Sequence, residues 1–149
     1  MRSVIQRVRF ASVEVDEKVI AKINGGILAF VGFCRDDSAG DLEYIASKII
    51  QLRIFEDEND LMNLSLSQVG GELLIVSQFT LYGDARKGRR PSFSNAMTGE
   101  LALSFYNEFV DLCKSKHMNV KSGLFGANMN IDLTNSGPVT ILLDSNRLY

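Results

Sequence analysis

The chain predicts a single α/β domain: a mixed β-sheet in a layered α/β/β arrangement with two main helices. Three observations predict it. Ile27–Phe33 and Leu73–Val76 are short and almost wholly apolar, the pattern of strands buried on both faces. Downstream of each comes a stretch whose apolar residues recur at helical spacing. Alternating segments at both ends read as hairpins and closing strands. The order is roughly ββ(βα)(βα)βββ, with helices expected on one face of the sheet and further strands on the other. A chain of 149 residues without repeat or linker suits one domain over 1–149.

The elements follow in order. Ser3–Val15 alternates in its second half, Asp16-Glu17 is a weak turn, and Lys18–Ile23 returns as the second hairpin arm. Asn24-Gly25-Gly26 turns the chain into Ile27–Phe33. Ser38 with Asp41 resembles a capping box, and Leu42, Ile45, Ala46, Ile49 and Ile50 make Asp41 to about Arg53 an amphipathic helix. Phe55–Asn63 is acidic and reads as a solvated loop, because its carboxylates lack an EF-hand spacing. Leu64–Val69 is ambiguous. Glu100 to about His117 is the second helix, with Leu101, Leu103, Phe105, Phe109, Leu112 and Cys113 on its apolar side. Asn119–Lys121, Asn128–Leu133 and Val139–Leu143 read as three strands, the last two separated by a turn at Thr134–Pro138.

Composition removes several function classes. Net charge is −2, so no whole-molecule basic field attracts nucleic acid. Polyanion contact must use a local patch, and Arg86, Lys87, Arg89 and Arg90 are the candidate. The start of the chain lacks an apolar signal core, and no apolar run approaches the ~20 residues of a membrane span. Cys34 and Cys113 read as reduced core thiols of a cytosolic protein. One histidine and two cysteines make no zinc cluster, so no metal is expected. No Gly-x-Ser-x-Gly elbow and no Gly-x-Gly-x-x-Gly occurs; Gly83 and Gly88 have P-loop spacing but are followed by Arg89-Arg90. His117 is expected at the surface of a helix end, where a cation suits the dipole.

What remains is backbone chemistry around Gly70–Pro91. Ser77-Gln78-Phe79-Thr80 ends a buried strand, where open sheets place ligands. Main-chain N–H groups there can hold an oxyanion without a side-chain nucleophile. The competing structural reading has Ser77 and Thr80 capping the strand and Phe79 packed in the core. Gly137-Pro138 is read in the same two ways: a plain turn, or a cis bond aiming two carbonyls together.

Ser77-Gln78-Phe79-Thr80-Leu81, Arg90-Pro91-Ser92-Phe93-Ser94 and Asn135-Ser136-Gly137-Pro138-Val139-Thr140, in this order and spacing, resemble D-aminoacyl-tRNA deacylase. Ile5-Gln6-Arg7-Val8, Ala11-Ser12-Val13 and Arg53-Ile54-Phe55 with Met62-Asn63-Leu64 fit as well, so the resemblance spans nearly the whole chain. It implies hydrolysis of the ester joining a D-amino acid to tRNA, with glycyl-tRNA as a second substrate, by a cytoplasmic homodimer without metal or cofactor. It places Ser77 and Gln78 at the substrate, and Phe79 and Thr80 at the chemistry. Gly137 and Pro138 would reject L-residues from the partner subunit, with Arg7 propping them; the plain alternative for Arg7 is a strand-surface charge. The Thr80 hydroxyl is the nucleophile in one account of the family. In the other, favoured here because no base accompanies Thr80, main-chain N–H groups act with the substrate's 2′-hydroxyl. Ser136 stands where an aspartate is common, and Tyr82-Gly83 replaces smaller residues. A non-catalytic RNA-binding module and a small-ester hydrolase are the rival functions.

Overall fold

A computed structural model describes residues 1–148; Tyr149, the end of the polar tail, lies outside the described residues. The strands are β1 (Arg2–Val15), β2 (Lys18–Ile23), β3 (Gly26–Gly32), β4 (Phe55–Glu56), β5 (Met62–Leu64), β6 (Glu72–Ser77), β7 (Val120–Ser122) and β8 (Asn130–Asp144). The helices are α1 (Ala39–Gln51), α2 (Leu66–Val69) and α3 (Gly99–Lys116), and a 3-10 turn covers Phe79–Tyr82. The main sheet runs β2-β1-β3-β6-β7, with β8 on β1; β3, β6 and β7 are parallel, and β1 is antiparallel to β2, β3 and β8.

The apolar strands work as their composition predicts. In β3 and β6 the odd residues, among them Ile27, Ala29, Leu73 and Ile75, enter a core beneath α1 and α3. Their even neighbours Leu28, Leu74 and Val76 enter a second core with Ala11, Val13, Ala21 and Ile23. Met129, Ile131 and Leu133 pack against this second core, so helices cover one face and strands the other, as expected.

Several expectations need correcting. Residues 128–143 do not form two strands around a turn. β8 is one long strand whose halves both pair with β1, and Ser136–Val139 bulge out where two steps on β1 oppose five on β8. Glycine and proline are tolerated there because this excursion leaves the ladder. The buried face of α3 is Ala102, Tyr106, Phe109, Val110 and Cys113, while Leu101 and Leu103 are exposed. His117 is not at the surface: it is buried, and its Nε2 lies 2.8 Å from the Gly71 carbonyl. Cys113 is a core thiol but Cys34 is only half-buried.

Other segments settle locally. The acidic loop folds into the β4–β5 hairpin, where Asp57 accepts from the Asn59 and Leu61 N–H groups and the Asn63 amide. The ambiguous Leu64–Val69 holds the single turn α2, closed by left-handed Gly70. At Ser38 the Asp41 carboxylate accepts from both the N–H (2.8 Å) and the hydroxyl (2.6 Å), completing the capping interaction. The tail is anchored: Asp144 is buried against Arg2 Nε at 3.0 Å, and the Ser145 hydroxyl accepts from the Met1 ammonium group at 2.7 Å.

The tightest contact between parallel strands is at Gly26, where an added Cβ would meet the Glu72 carbonyl oxygen at 1.9 Å. Its neighbour Gly25 has open space. Gly26→Ala is therefore expected to cost ~2–3 kcal/mol in urea unfolding, against less than ~0.5 for Gly25→Ala. Equal costs would mean that β3 and β6 do not depend on this close approach.

Candidate functional site

β6 ends at Ser77, and its pairing with β3 reaches one residue further, through the Gln78 N–H to the Val31 carbonyl at 2.7 Å. The chain then turns into the 3-10 segment. Gly32 makes this possible: a Cβ there would sit 2.8 Å from the Gln78 carbonyl oxygen. That carbonyl in turn accepts from the Leu81 N–H at 3.2 Å. The first N–H groups of such a turn have no acceptor inside it. Among the described residues, none outside it reaches the Phe79 or Thr80 N–H.

The side chains here leave the backbone accessible. Phe79 is 53% exposed rather than packed in the core, and its ring stands edge-on to Phe93 at 5.1 Å. The Thr80 hydroxyl accepts from the Gln78 side-chain amide. Among the described residues no carboxylate, imidazole or amine contacts the Thr80 hydroxyl, so nothing there can take its proton.

A cavity of about 480 Å³ opens beside this tip, lined by Ser77, Gln78 and Phe79 on one side and by Phe33, Met97, Phe125 and Met129 on the other. Its far wall is the segment after β7, which Tyr106 steadies from α3. The Tyr106 hydroxyl lies 3.0 Å from the Ile75 carbonyl and 3.2 Å from that of Gly123, and burial pushes its pKa up to about 12. Gly32, Tyr106 and Phe125 escape sequence reading. The glycine ends an apolar run, Tyr106 looks like core, and nothing local says that a loop 46 residues beyond Phe79 closes the same cavity. Helical spacing puts Tyr106 on the buried face with Ala102 and Phe109, but nothing in that spacing tells that its hydroxyl braces the cavity wall.

Arg7 is not a strand-surface charge. It is buried, and its guanidinium donates to the Ile54 carbonyl (2.7 Å), the Ser136 carbonyl (3.1 Å), Glu56 (3.1 Å) and, at the long distance of 3.4 Å, the Gly137 carbonyl. Asn135 closes the same excursion by donating to the Arg7 and Val139 carbonyls. The Gly137–Pro138 peptide is cis, and both residues are exposed.

The two groups do not meet within one chain. Thr140 pairs with Gln6, which pairs with Leu28, which pairs with Leu74; through Val8 and Gly26, Asn135 is level with Glu72. The excursion thus lies three to five residues from Ser77 along the strands and three strands across. At ~3.3 Å per residue and ~4.8 Å per strand, this is roughly 17–22 Å along the sheet.

The basic loop lies on the other flank. Asp84 and Ser92 exchange backbone hydrogen bonds of 2.8 and 2.9 Å and close it. Arg86 is gripped by Asp84 through Nε at 2.9 Å and an NH2 group at 2.7 Å, which holds the Asp84 carboxyl well below the usual range. Lys87, Arg89 and Arg90 are exposed.

The D-Tyr-tRNA(Tyr) deacylase family model matches residues 4–144. The chain belongs to that family. It is 58% identical to the D-aminoacyl-tRNA deacylase of Clostridioides difficile (strain 630) and 55% identical to that of Thermosipho africanus (strain TCF52B), in each case over 100% of both chains. Among solved structures it resembles a c-Myc DNA unwinding element binding protein, with a TM-score of 0.92 and 40% identity over 97% of this chain and 98% of that one. A probable eukaryotic D-amino acid tRNA deacylase shares the fold at 18% identity, with a TM-score of 0.81 over 95% and 97% of the two chains.

The hold that Arg7 has on two segments can be tested. Arg7→Lys keeps the charge but cannot span acceptors in two segments with a planar fork. A loss of ~1–3 kcal/mol in denaturant unfolding is expected. Unchanged stability would mean that the Ile54 and Ser136 carbonyls do not need the guanidinium.

Proposed function

We propose that this deacylase-family enzyme hydrolyses the ester of D-aminoacyl-tRNA and spares the L-aminoacyl form. The observation that carries the reading is the pair of uncommitted N–H groups at Phe79 and Thr80, on a fixed strand tip beside a cavity, in a chain whose relatives are named D-aminoacyl-tRNA deacylases. Water adds to the ester carbonyl, whose developing oxyanion accepts from these N–H groups. The bond to the ribose 3′-oxygen then breaks, so the acyl group leaves as the free D-amino acid and the 3′-oxygen regains a proton. The substrate's own 2′-hydroxyl assists the water, which fits the want of a base at Thr80 and makes RNA the substrate. Ser77 and Gln78 flank the ester.

Chiral selection is assigned to Gly137 and Pro138 of a second copy in a cytoplasmic homodimer. Supporting this are their exposure and the roughly 17–22 Å along the sheet between them and the tip of their own chain. Main-chain atoms placed where an L side chain would project exclude it, while glycine fits, so glycyl-tRNA is a second substrate. The name of the DNA unwinding element binding protein keeps one other reading in view, nucleic-acid binding without turnover by Arg86, Lys87, Arg89 and Arg90.

Release of tyrosine from D-tyrosyl-tRNA and L-tyrosyl-tRNA separates these readings: fast release from the D form alone is expected, and binding without release from either would favour the second. Thr80→Ala should keep kcat within about tenfold, whereas a loss on the order of a thousandfold in a folded protein would make its hydroxyl the nucleophile. A Cβ on Gly137 meets only Asn135 Oδ1, at 3.5 Å. Gly137→Ala should therefore leave stability within ~0.5 kcal/mol yet slow D-tyrosyl-tRNA release about tenfold or more. Unchanged kinetics would remove Gly137 from the site.

A further inference from the structure

The 3-10 turn that offers Phe79 to one cavity offers its other end, Tyr82, to a second and larger one of about 770 Å³. Three arginines distant in sequence line it: Arg2 from β1, Arg35 from the segment after β3, and Arg86 from the basic loop. Two are held in place before any ligand arrives. Arg2 lies over the Tyr82 ring at 4.6 Å and donates to the Leu81 carbonyl at 3.1 Å and to Asp144 at 3.0 Å. Arg86 is clamped by Asp84. Arg35 is exposed and, among the described residues, has no acceptor.

The charge balance favours an anion. Cys34 and Tyr82 also line the cavity, and burial raises the pKa of both, so neither adds negative charge near neutral pH. Asp36 and Asp84 are the lining carboxylates against Arg2, Arg35 and Arg86, so the lining carries one positive charge in excess; Asp84 pairs with Arg86, Arg2 also meets Asp144, and Arg35 is the arginine left to a ligand. Ser94 and Asn95 add neutral hydrogen-bonding groups. Arginines with fixed planar forks, joined by small polar side chains, are the chemistry that grips phosphodiesters.

Position names the source of the phosphate. A 3-10 turn of four residues rises about 8 Å, and here its first residue, Phe79, lines one cavity and its last, Tyr82, lines the other. A ribose whose 3′-ester sits at Phe79 and Thr80 would send its own strand, on the 5′ side, across that turn. We infer that the Arg2–Arg35–Arg86 cavity is a phosphate subsite for the single-stranded 3′ end of the RNA, seating the phosphodiesters next to the reacting nucleotide. The subsite rests on the functional reading above. It differs from the exposed Lys87–Arg90 loop, which does not line the cavity.

The test uses Arg35→Ala, since Arg35 carries none of the hydrogen bonds that hold the fold. The first probe is an uncharged RNA hairpin with a single-stranded 3′ end, bound in fluorescence anisotropy across a salt series. The variant is expected to bind about tenfold more weakly, with a log–log salt slope shallower by about 0.7, and Arg35→Lys should recover much of the slope. The second probe is D-tyrosyl-adenosine, which has the ester and no phosphate; its hydrolysis should be the same for both proteins, while KM for D-tyrosyl-tRNA rises in the variant. Unchanged hairpin affinity and slope in Arg35→Ala, or no hairpin binding by the wild-type protein, would overturn the subsite. An equal loss on the phosphate-free ester would do so too. If the hairpin arm behaves as expected but neither protein cleaves either ester, the subsite stands and the deacylase reading fails.

Discussion

The parallel pairing of β3 with β6 is the constraint on which the rest of the site depends. Both strands are buried on both faces, and their ladder runs from Gly26 and Glu72 to Val31 and Ser77, then one hydrogen bond further to Gln78. Two positions without side chains permit it. Gly26 allows β6 to start against β3, and Gly32 allows the Gln78 carbonyl to close over the end of β3. With the ladder ending there, the next two N–H groups meet no acceptor among the described residues. A rigid backbone bearing unspent donors is what oxyanion stabilisation requires, because donors already in place need no reorganisation when charge develops.

The second half of the proposed chemistry depends on a different anchor. Arg7 satisfies carbonyls from two segments at once, Ile54 after α1 and Ser136 in the β8 excursion, and adds Glu56 and a long contact to Gly137. A buried guanidinium with its donors used is tolerable, whereas an unpaired one is not. The excursion it holds faces outward and stands far from its own strand tip. The proposed dimer would bring the excursion of one copy to the strand tip of the other.

Much of this was legible in the residues. The two apolar runs announced central strands, and the structure shows why: odd and even positions feed separate cores. The Ser38–Asp41 cap and the apolar face of α1 were readable from spacing. Three features were not, for physical reasons. Asn135–Pro138 has turn chemistry, and only the unusual length of β1 lets both flanking halves pair with one partner. His117 sits beyond the last turn of α3, where pattern suggests solvent, but the carbonyl of Gly71 reaches it from another element. Arg7 alternates like a surface residue; its acceptors lie 47 and 129 positions away, and local pattern carries no trace of them. The family was legible by resemblance, while the cavity walls at Phe33, Met97 and Phe125 come from tertiary packing alone.

The central claim is that main-chain donors at the strand tip act together with Gly137-Pro138 of another copy. Complementation between two disabled variants tests it most directly. Phe79→Pro removes one donor at a first helical position that accommodates proline, and Gly137→Phe fills the space that the excursion must keep open. Each pure variant should be inactive towards D-tyrosyl-tRNA, and the two co-refolded together should regain about a quarter of wild-type activity, since half of the dimers would be mixed and each would hold one intact site. A co-refolded mixture as inactive as its parents, with both variants folded and dimeric, would contradict the account.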